Sequence, residues 1–189
     1  MIAQFIRPLL RPLLISNKYI APSTSCLRIH YLLSVRTMSS GSAPITLSSL
    51  TYLQGKTLAP LLLEPTEQAK IAVIDVRDSD HIGGNIKGST WIPLNQLDVR
   101  IPELLRTLKD KEKVVFHCML SQQRGPRAAL MYARAKHAHD SKQQKAEQSG
   151  EEAAPSQKVC VLEGGFGQWQ AQFGEDPRLT ADYVPDIWI

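Results

Sequence analysis

One short stretch of the sequence combines a thiol, an arginine and the signals for a strand and a helix. A short apolar run leads into Cys118, and five residues separate this cysteine from Arg124. Gly125 and Pro126 follow, and proline suits the first turn of a helix, where its missing N–H would be unpaired anyway. These residue types in this order predict a loop that holds a nucleophile at the floor of an anion-binding pocket.

The predicted loop contains every group that oxyanion chemistry needs. Its backbone amides and the N-terminal dipole of the following helix can bind an anion and favour the thiolate form of Cys118. The planar guanidinium of Arg124 can donate to two oxygens of a tetrahedral oxyanion at once. We therefore predict that Cys118 is the nucleophile and that Arg124 is the oxyanion clamp. The other residues of the predicted oxyanion-binding loop are Met119, Leu120, Ser121, Gln122 and Gln123.

Length, charge and cysteine content restrict the class of protein. The chain has 189 residues, enough for one domain with a substantial core. Six of the 22 basic residues and no acidic residue lie in residues 1–63, which leaves 16 basic against 18 acidic residues afterwards. The overall charge of +4 therefore comes from the N-terminal segment and does not indicate that the domain binds nucleic acid. No apolar stretch is long enough for a membrane span. Three widely spaced cysteines predict neither a disulfide framework nor a zinc site.

We expect residues 1–44 to lie outside the folded domain. The first 40 or so residues are rich in Arg, Ser and Leu and lack acids, which is typical of a mitochondrial transit peptide. A disordered extension, or one bypassed by initiation at Met38, explains the same composition. A transit peptide predicts a mitochondrial location, whereas initiation at Met38 predicts a location in the cytoplasm and nucleus.

Residues 45–189 are predicted to form one α/β domain. The apolar run 71–76 indicates a strand that is buried on both faces. Alternation of such strands with helical segments predicts a mostly parallel central sheet with helices on both faces. The polar, low-complexity residues 139–157 predict a mobile surface insertion. Further predicted elements are helices over 101–108, 126–138 and 166–173 and strands over 113–116 and 158–162.

Three blocks of the sequence resemble the rhodanese superfamily, in particular the branch of cell-division-cycle dual-specificity phosphatases and eukaryotic arsenate reductases. The blocks are Ile74–Asp78, then His117 and Cys118 with Arg124–Ala129, and finally Val161–Phe166 with Trp169. The resemblance implies the rhodanese-like three-layer fold. Sulfurtransferases of the superfamily usually have a loop one residue shorter, whereas the seven positions from Cys118 to Arg124 suit a phosphate- or arsenate-sized anion.

The resemblance implies a cysteine-dependent phosphatase of the dual-specificity or tyrosine type that forms a phosphocysteine. A glutathione- and glutaredoxin-linked arsenate reductase on the same site is the first alternative. A sulfurtransferase or a catalytically silent binding module is the second. The substrate would be a phosphoprotein or a small oxyanion, with glutaredoxin as a partner of a reductase. No cofactor is expected, apart from glutathione as a reductase's co-substrate. Plant members of this branch are known for a C-terminal zinc site, but no cysteine follows Cys160 in this sequence, so no metal is expected.

Residues beside the loop receive supporting roles. His117 could support the loop or simply be packed beneath it, and Asp75 could order the loop from the neighbouring strand, as the resemblance implies. Arg127 could contact substrate or face solvent. The predicted loop contains no acid, so the general acid stays open. Asp78 and Asp80 are candidates, although solvated turn residues are the expectation for both.

Overall fold

A five-stranded parallel sheet forms the centre of the computed structural model, with the strand order β1-β6-β5-β2-β4. A separate antiparallel pair joins β3 to β7. The structure describes residues 44–146 and 157–188, so most of the predicted extension and residues 147–156 of the predicted insertion lie outside the described residues. The strands are β1 Thr51–Leu53, β2 Ile71–Asp75, β3 Asn85–Ile86, β4 Thr90–Trp91, β5 Lys113–His117, β6 Lys158–Leu162 and β7 Thr180–Ala181.

Helices cover both faces of this sheet. Alternate residues of a strand point to opposite faces, and β5 divides accordingly. Val114 and Phe116 join the core beneath α3 and α4, whereas Val115 joins the core beneath α1 and α5. This arrangement confirms the predicted α/β architecture. The helices are α1 Gly55–Leu63, α2 Pro65–Gln68, α3 Leu94–Thr107, α4 Arg124–Ala146 and α5 Gly165–Phe173, with 3₁₀ turns at Leu47–Ser49 and Pro185–Ile187.

Two helices are longer than predicted. Helix α3 begins at Leu94 rather than residue 101, because Leu97 extends the buried stripe of Ile101 and Leu104 by another turn. Helix α4 begins at Arg124, two residues earlier than predicted, and continues to Ala146. None of the described helices is long and apolar enough to cross a membrane.

The predicted surface insertion is therefore wrong for residues 139–146, which are helical. An ion pair between Lys136 and Asp140 and a hydrogen bond from Ser141 to the His137 carbonyl support this exposed end of α4. At the other boundary, Gln157 is buried and accepts a hydrogen bond from the Tyr132 hydroxyl. The polar residues before residue 147 therefore belong to a solvated helix, and the polar Gln157 after residue 156 is a buried hydrogen-bonding amide.

The carboxyl ends of two central strands lie side by side and carry the residues of interest. In the register of β2 and β5, Asp75 is directly opposite His117. The loops that follow these strands therefore leave the sheet at the same edge, as does the turn after β6. Ligands of open parallel sheets bind at this edge, and the predicted nucleophile follows β5 there.

Candidate active site

Cys118 lies at the floor of a tight loop between β5 and α4. The cysteine is 3% exposed, and its Sγ accepts a hydrogen bond of 3.2 Å from the backbone amide of Ser121. Ser121 has φ +51°, a left-handed conformation that costs a non-glycine residue energy and that curls the chain back over the sulfur. An N–H that donates to the sulfur stabilises negative charge on it. The predicted amide cradle therefore includes at least this one observed contact with the predicted nucleophile.

The N-terminus of α5 fixes the other side of the loop. The amides of Phe166 and Gly167 donate to the carbonyls of Cys118 and Met119 at 2.9 and 2.8 Å. Because a trans peptide directs its N–H opposite to its carbonyl, the amides that follow these carbonyls point away from α5. This is the orientation that an anion cradle requires.

Only glycine can occupy position 165 in this contact. Gly165 has φ +58°, and a Cβ there would lie 2.5 Å from the carbonyl oxygens of Cys118 and Met119. Gly164 and Gly165 belong to a block that carries the resemblance, but no support of the loop was predicted from them. A glycine pair directly before a short helix was the available signal.

Arg124 begins α4 and is bound by two carboxylates from the turn after β2. Its Nη1 donates to Asp80 Oδ1 at 2.7 Å and to Asp78 Oδ2 at 3.0 Å, and its Nη2 donates to Asp80 Oδ2. The hydrogen bonds from Arg124 lower the pKa of Asp80 to about 2 and the same contacts raise that of Arg124 further. The expectation that both aspartates are solvated turn residues is therefore wrong. Asp80 is also ionised at neutral pH and cannot donate a proton there.

A second ion pair lies fully buried beneath the first. Arg77 Nη2 contacts Asp75 Oδ2 at 2.7 Å, and both side chains are 0% exposed. Arg77 also donates to the carbonyls of Ile82 and Gly84, and its guanidinium lies 4.1 Å from the ring centroid of Phe166. Burial opposes the charge on Asp75, but the neighbouring His117 ring and the hydrogen bonds and charge of Arg77 together hold the pKa of this carboxyl below its ordinary value. No role was predicted for Arg77, although an arginine two residues after a strand-end aspartate was a signal.

His117 connects this buried pair to the loop. Its Nδ1 lies 3.3 Å from the Cys118 carbonyl oxygen, which can only accept, so the ring donates there. Its Nε2 lies 3.8 Å from Asp75 and has no hydrogen-bond partner among residues 44–146 and 157–188. Complete burial lowers the pKa of His117, which keeps the ring neutral at neutral pH. His117 therefore contacts the backbone of the loop from a fully buried position, and a supporting role stays a prediction.

The remaining predicted residues form the rim of the site. Leu120, Gln122, Gln123 and Arg127 are exposed, whereas Ser121 is buried. The Ser121 hydroxyl has no hydrogen-bond partner in the described part of the chain, so its contribution to the thiol is through its amide. Arg127 lies beside the loop on an open cleft of about 420 Å³, which Asp78, Leu94 and Asn95 also line.

The two described cysteines occupy opposite faces of the sheet. Cys118 packs in the core of α3 and α4, and Cys160 packs in the core of α1 and α5. Burial raises the pKa of Cys160, as expected of a cysteine that only fills space. Within the described segments, no group of three or more His, Cys, Asp or Glu side chains could hold a metal ion.

Comparisons with known proteins agree with this geometry. The family model of the rhodanese-like domain matches residues 58–172. The chain is 41% identical over 128 residues to the CDC25-like phosphatase YCH1 of Saccharomyces cerevisiae, covering 61% of this chain and 76% of the relative. It is 35% identical over 122 residues to arsenate reductase 2.2 of Oryza sativa subsp. japonica, covering 64% and 82% of the two chains.

A solved structure supports the same fold. The chain is similar to Ygr203w, described as a yeast protein tyrosine phosphatase of the rhodanese family, with a TM-score of 0.57 and 33% identity. The similarity covers 77% of this chain and 99% of the yeast chain. The comparisons confirm the resemblance stated from the sequence and support both of its enzymatic interpretations.

Proposed function

This chain belongs to the rhodanese-like family, and we propose that it is a cysteine-dependent phosphatase of the tyrosine or dual-specificity type. The observation that carries this function is the contact of the Ser121 amide with Cys118 Sγ in a loop that Arg124 closes. A loop built in this way stabilises a thiolate and the negative charge that develops on equatorial oxygens during phosphoryl transfer.

The reaction proceeds in two displacements. The Cys118 thiolate attacks phosphorus, the bond from phosphorus to the leaving oxygen breaks, and a phosphocysteine forms. The loop amides and Arg124 hold the three equatorial oxygens. Water then attacks the phosphocysteine, which releases inorganic phosphate and restores the thiolate.

The charge state of Asp80 affects the choice of leaving group. Asp80 is ionised at neutral pH, since its pKa is lowered to about 2, and the loop itself contains no acid. A leaving group that departs without a proton must itself be a weak base. A tyrosine phenol has a pKa of about 10, far below that of an aliphatic alcohol. We expect aryl phosphates, including phosphotyrosine, to be hydrolysed faster than phosphoserine or phosphothreonine.

The second candidate function is arsenate reduction on the same site. The Cys118 thiolate would displace a hydroxyl from arsenate and form an arsenic–sulfur bond. A glutathione thiolate would then attack the Cys118 sulfur, and the arsenic–sulfur electron pair would leave with arsenic as arsenite. The resulting mixed disulfide needs a further thiol, such as that of a glutaredoxin.

The placement of Cys160 favours an external thiol for this alternative. Cys160 lies on the opposite face of the sheet from Cys118 and is buried, so it cannot reach the reacting sulfur without unfolding of the sheet. A small thiol such as glutathione therefore fits better than an internal disulfide between these two residues. Cys26 lies outside the described residues.

Parallel assays on the full chain test the proposal. p-Nitrophenyl phosphate and arsenate with glutathione and glutaredoxin would each be offered to the wild type, to Cys118→Ser and to the control Cys160→Ser. We expect turnover of the phosphate ester, loss of that turnover in Cys118→Ser and its retention in Cys160→Ser. Arsenate turnover alone would select the reductase, and turnover of neither substrate would leave a sulfurtransferase or a silent binding module.

The N-terminal sequence determines our proposal for location. We propose a mitochondrial location for the chain that starts at Met1 and cytoplasm and nucleus for a chain that starts at Met38. Imaging of both forms with a C-terminal fluorescent fusion tests this, since identical distributions would exclude a targeting role for residues 1–37.

A further inference from the structure

The contacts of Arg124 leave one particular edge of its guanidinium open. An arginine side chain has five N–H donors in a fixed plane. Asp80 occupies the end formed by Nη1 and Nη2, and Asp78 accepts from the other hydrogen of Nη1. Three of the five donors are therefore bound to carboxylates.

The two remaining donors lie next to each other. They are Nε–H and the second hydrogen of Nη2, which point in nearly the same direction along one side of the planar group. Among the described residues, no acceptor contacts Nε. Two parallel donors match two oxygens of a tetrahedral oxyanion. The carboxylates thus bind the guanidinium without blocking the side that a substrate would use.

We propose that Asp80, assisted by Asp78, is a positioning residue that holds Arg124 with its Nε–Nη2 side directed at the oxyanion. This inference rests on the proposed oxyanion site and adds residues that no comparison assigns to it. Neither aspartate touches the reacting atoms. Both act through Arg124, from a turn that lies more than 40 residues earlier in the chain.

The turn that carries the two aspartates is itself fixed to the core. The Asp78 amide donates to Asp80 Oδ1 at 3.0 Å, which orients the carboxylate. The preceding residue, Arg77, is buried and bound to Asp75. Arg124 therefore contacts a rigid support, although its own side chain is 30% exposed.

Such a support is useful because a long arginine side chain such as that of Arg124 can adopt many conformers when nothing holds it. A long, partly exposed arginine loses much of its side-chain entropy when it is fixed in one conformer. If the aspartates fix it before substrate binds, this cost does not fall on the chemical step. The loop contains no acid that could do the same, and its neighbouring Gln122 and Gln123 are exposed.

Charge alone predicts the opposite result, which makes the proposal testable. Asp80 places a negative charge close to an anion-binding site, so its neutralisation would strengthen anion binding if electrostatics dominated. If positioning dominates, neutralisation leaves Arg124 free to adopt other conformers and slows the reaction. The sign of the effect on the rate therefore distinguishes the two roles.

The experiment compares Asp80→Asn, Asp80→Glu and Asp78→Asn in the full chain. Asp176→Asn is the matched control, because Asp176 also forms a two-bond contact with an arginine, Arg178, but outside the loop. The readouts are kcat and KM for p-nitrophenyl phosphate, arsenate binding by calorimetry without added thiol, and the thermal midpoint. Because the Asp80 pair is partly exposed, we expect the thermal midpoint to change little.

We expect Asp80→Asn to lower kcat/KM by about tenfold or more, mainly through kcat. Asp80→Glu should show a smaller loss, because it keeps the charge on a longer side chain. Asp78→Asn should also cause a smaller loss, and Asp176→Asn should cause none. An unchanged or increased kcat/KM in Asp80→Asn would overturn the positioning role. If Asp80→Asn unfolds, failure of Asp80→Glu and Asp78→Asn to change kcat while they remain folded would overturn it equally.

Arsenate binding separates this inference from the proposed function. A wild type that binds arsenate but hydrolyses no ester would end the phosphatase proposal. Positioning would then be judged from weaker arsenate binding in Asp80→Asn, with unchanged or tighter binding against it. A wild type that is active and indistinguishable from Asp80→Asn would end the inference alone. A wild type without arsenate binding and without turnover would end both.

Discussion

Two aspartate–arginine pairs meet at the turn after β2 and differ mainly in burial. Asp75 and Arg77 are both 0% exposed, whereas Asp80 is 33% and its partner Arg124 is 30% exposed. A buried pair cannot lose one member without leaving an uncompensated charge. A partly exposed pair contributes little to stability, because water can replace either partner. The same chemistry can therefore support the fold in one place and the reaction in the other.

The buried pair also explains why the exposed pair is well placed. Arg77 binds the carbonyls of Ile82 and Gly84 and so closes the turn on both sides of Asp78 and Asp80. The Trp188 indole donates to the carbonyl of Gly83 in the same turn. The turn that holds Arg124 is therefore secured from the core and from the C-terminal segment.

The largest effect is expected from Arg77→Met. Removal of the guanidinium leaves Asp75 charged and buried, so the free energy of unfolding should fall by about 3–5 kcal/mol. Urea denaturation measures this loss. Arg178→Met removes the arginine of an exposed pair and is the control, which should lose far less stability. Equal losses in the two variants would show that burial does not separate the pairs.

Arg124→Lys should lower the activity strongly and the free energy of unfolding only slightly. Lysine keeps the charge but loses the planar two-donor side, so kcat/KM should fall by about 10²-fold or more. The free energy of unfolding should change by less than about 1 kcal/mol, because the pair is partly exposed. Steady-state kinetics and urea denaturation of the same preparation check both values. A stable variant with nearly wild-type kinetics would remove the clamp role.

Gly165→Ala should damage the loop from its other side. A left-handed alanine alone costs about 1–2 kcal/mol, and here its Cβ would also collide with the carbonyls of Cys118 and Met119. Gly88→Ala is the control, since Gly88 also has a positive φ, +78°, but a Cβ there would meet only Gln68 Nε2, at an ordinary contact distance of 3.9 Å. We expect a greater loss of stability at Gly165 and a fall in kcat/KM only there. Equal effects at the two glycines would mean that the α5 contact does not shape the loop.

The smallest expected effect is a pH dependence of stability. Burial lowers the pKa of His117 in the folded chain, so below about pH 6.5 the unfolded chain binds more protons than the folded chain. The free energy of unfolding should therefore decrease as pH falls from 7 towards 5. His81 is shifted in the same direction by partial burial and adds to this slope. His117→Gln should reduce the slope in urea denaturation, and an unchanged slope would show that His117 titrates normally.

The loop could be predicted from the sequence because its parts are local. Cys118, Arg124 and the helix start lie within nine consecutive residues, so their spacing in the sequence is enough to predict that they lie in one loop. The parallel sheet was equally accessible, since apolar runs alternate with helical patterns. These features depend on short-range periodicity and turn chemistry.

The partners of the loop could not be predicted because they depend on which strands are neighbours. Asp78 and Asp80 reach Arg124 only because β2 pairs with β5, a fact that local patterns do not contain. The same holds for Gly165, which reaches the Cys118 carbonyl from the end of β6. The polar end of α4 was misjudged for another reason: a solvated helix and a disordered segment have similar compositions.

The comparison of the two described cysteines gives the most direct test of the chemistry assigned to the loop. Cys118 and Cys160 are each 3% exposed, so exposure alone predicts equal reactivity. Iodoacetamide labelling of the full chain at neutral pH, followed by peptide mapping, measures both in one sample. We predict that Cys118 is labelled much faster than Cys160 and that arsenate protects Cys118 alone. Equal labelling of the two residues, without protection by arsenate, would contradict an oxyanion site built around a nucleophilic Cys118.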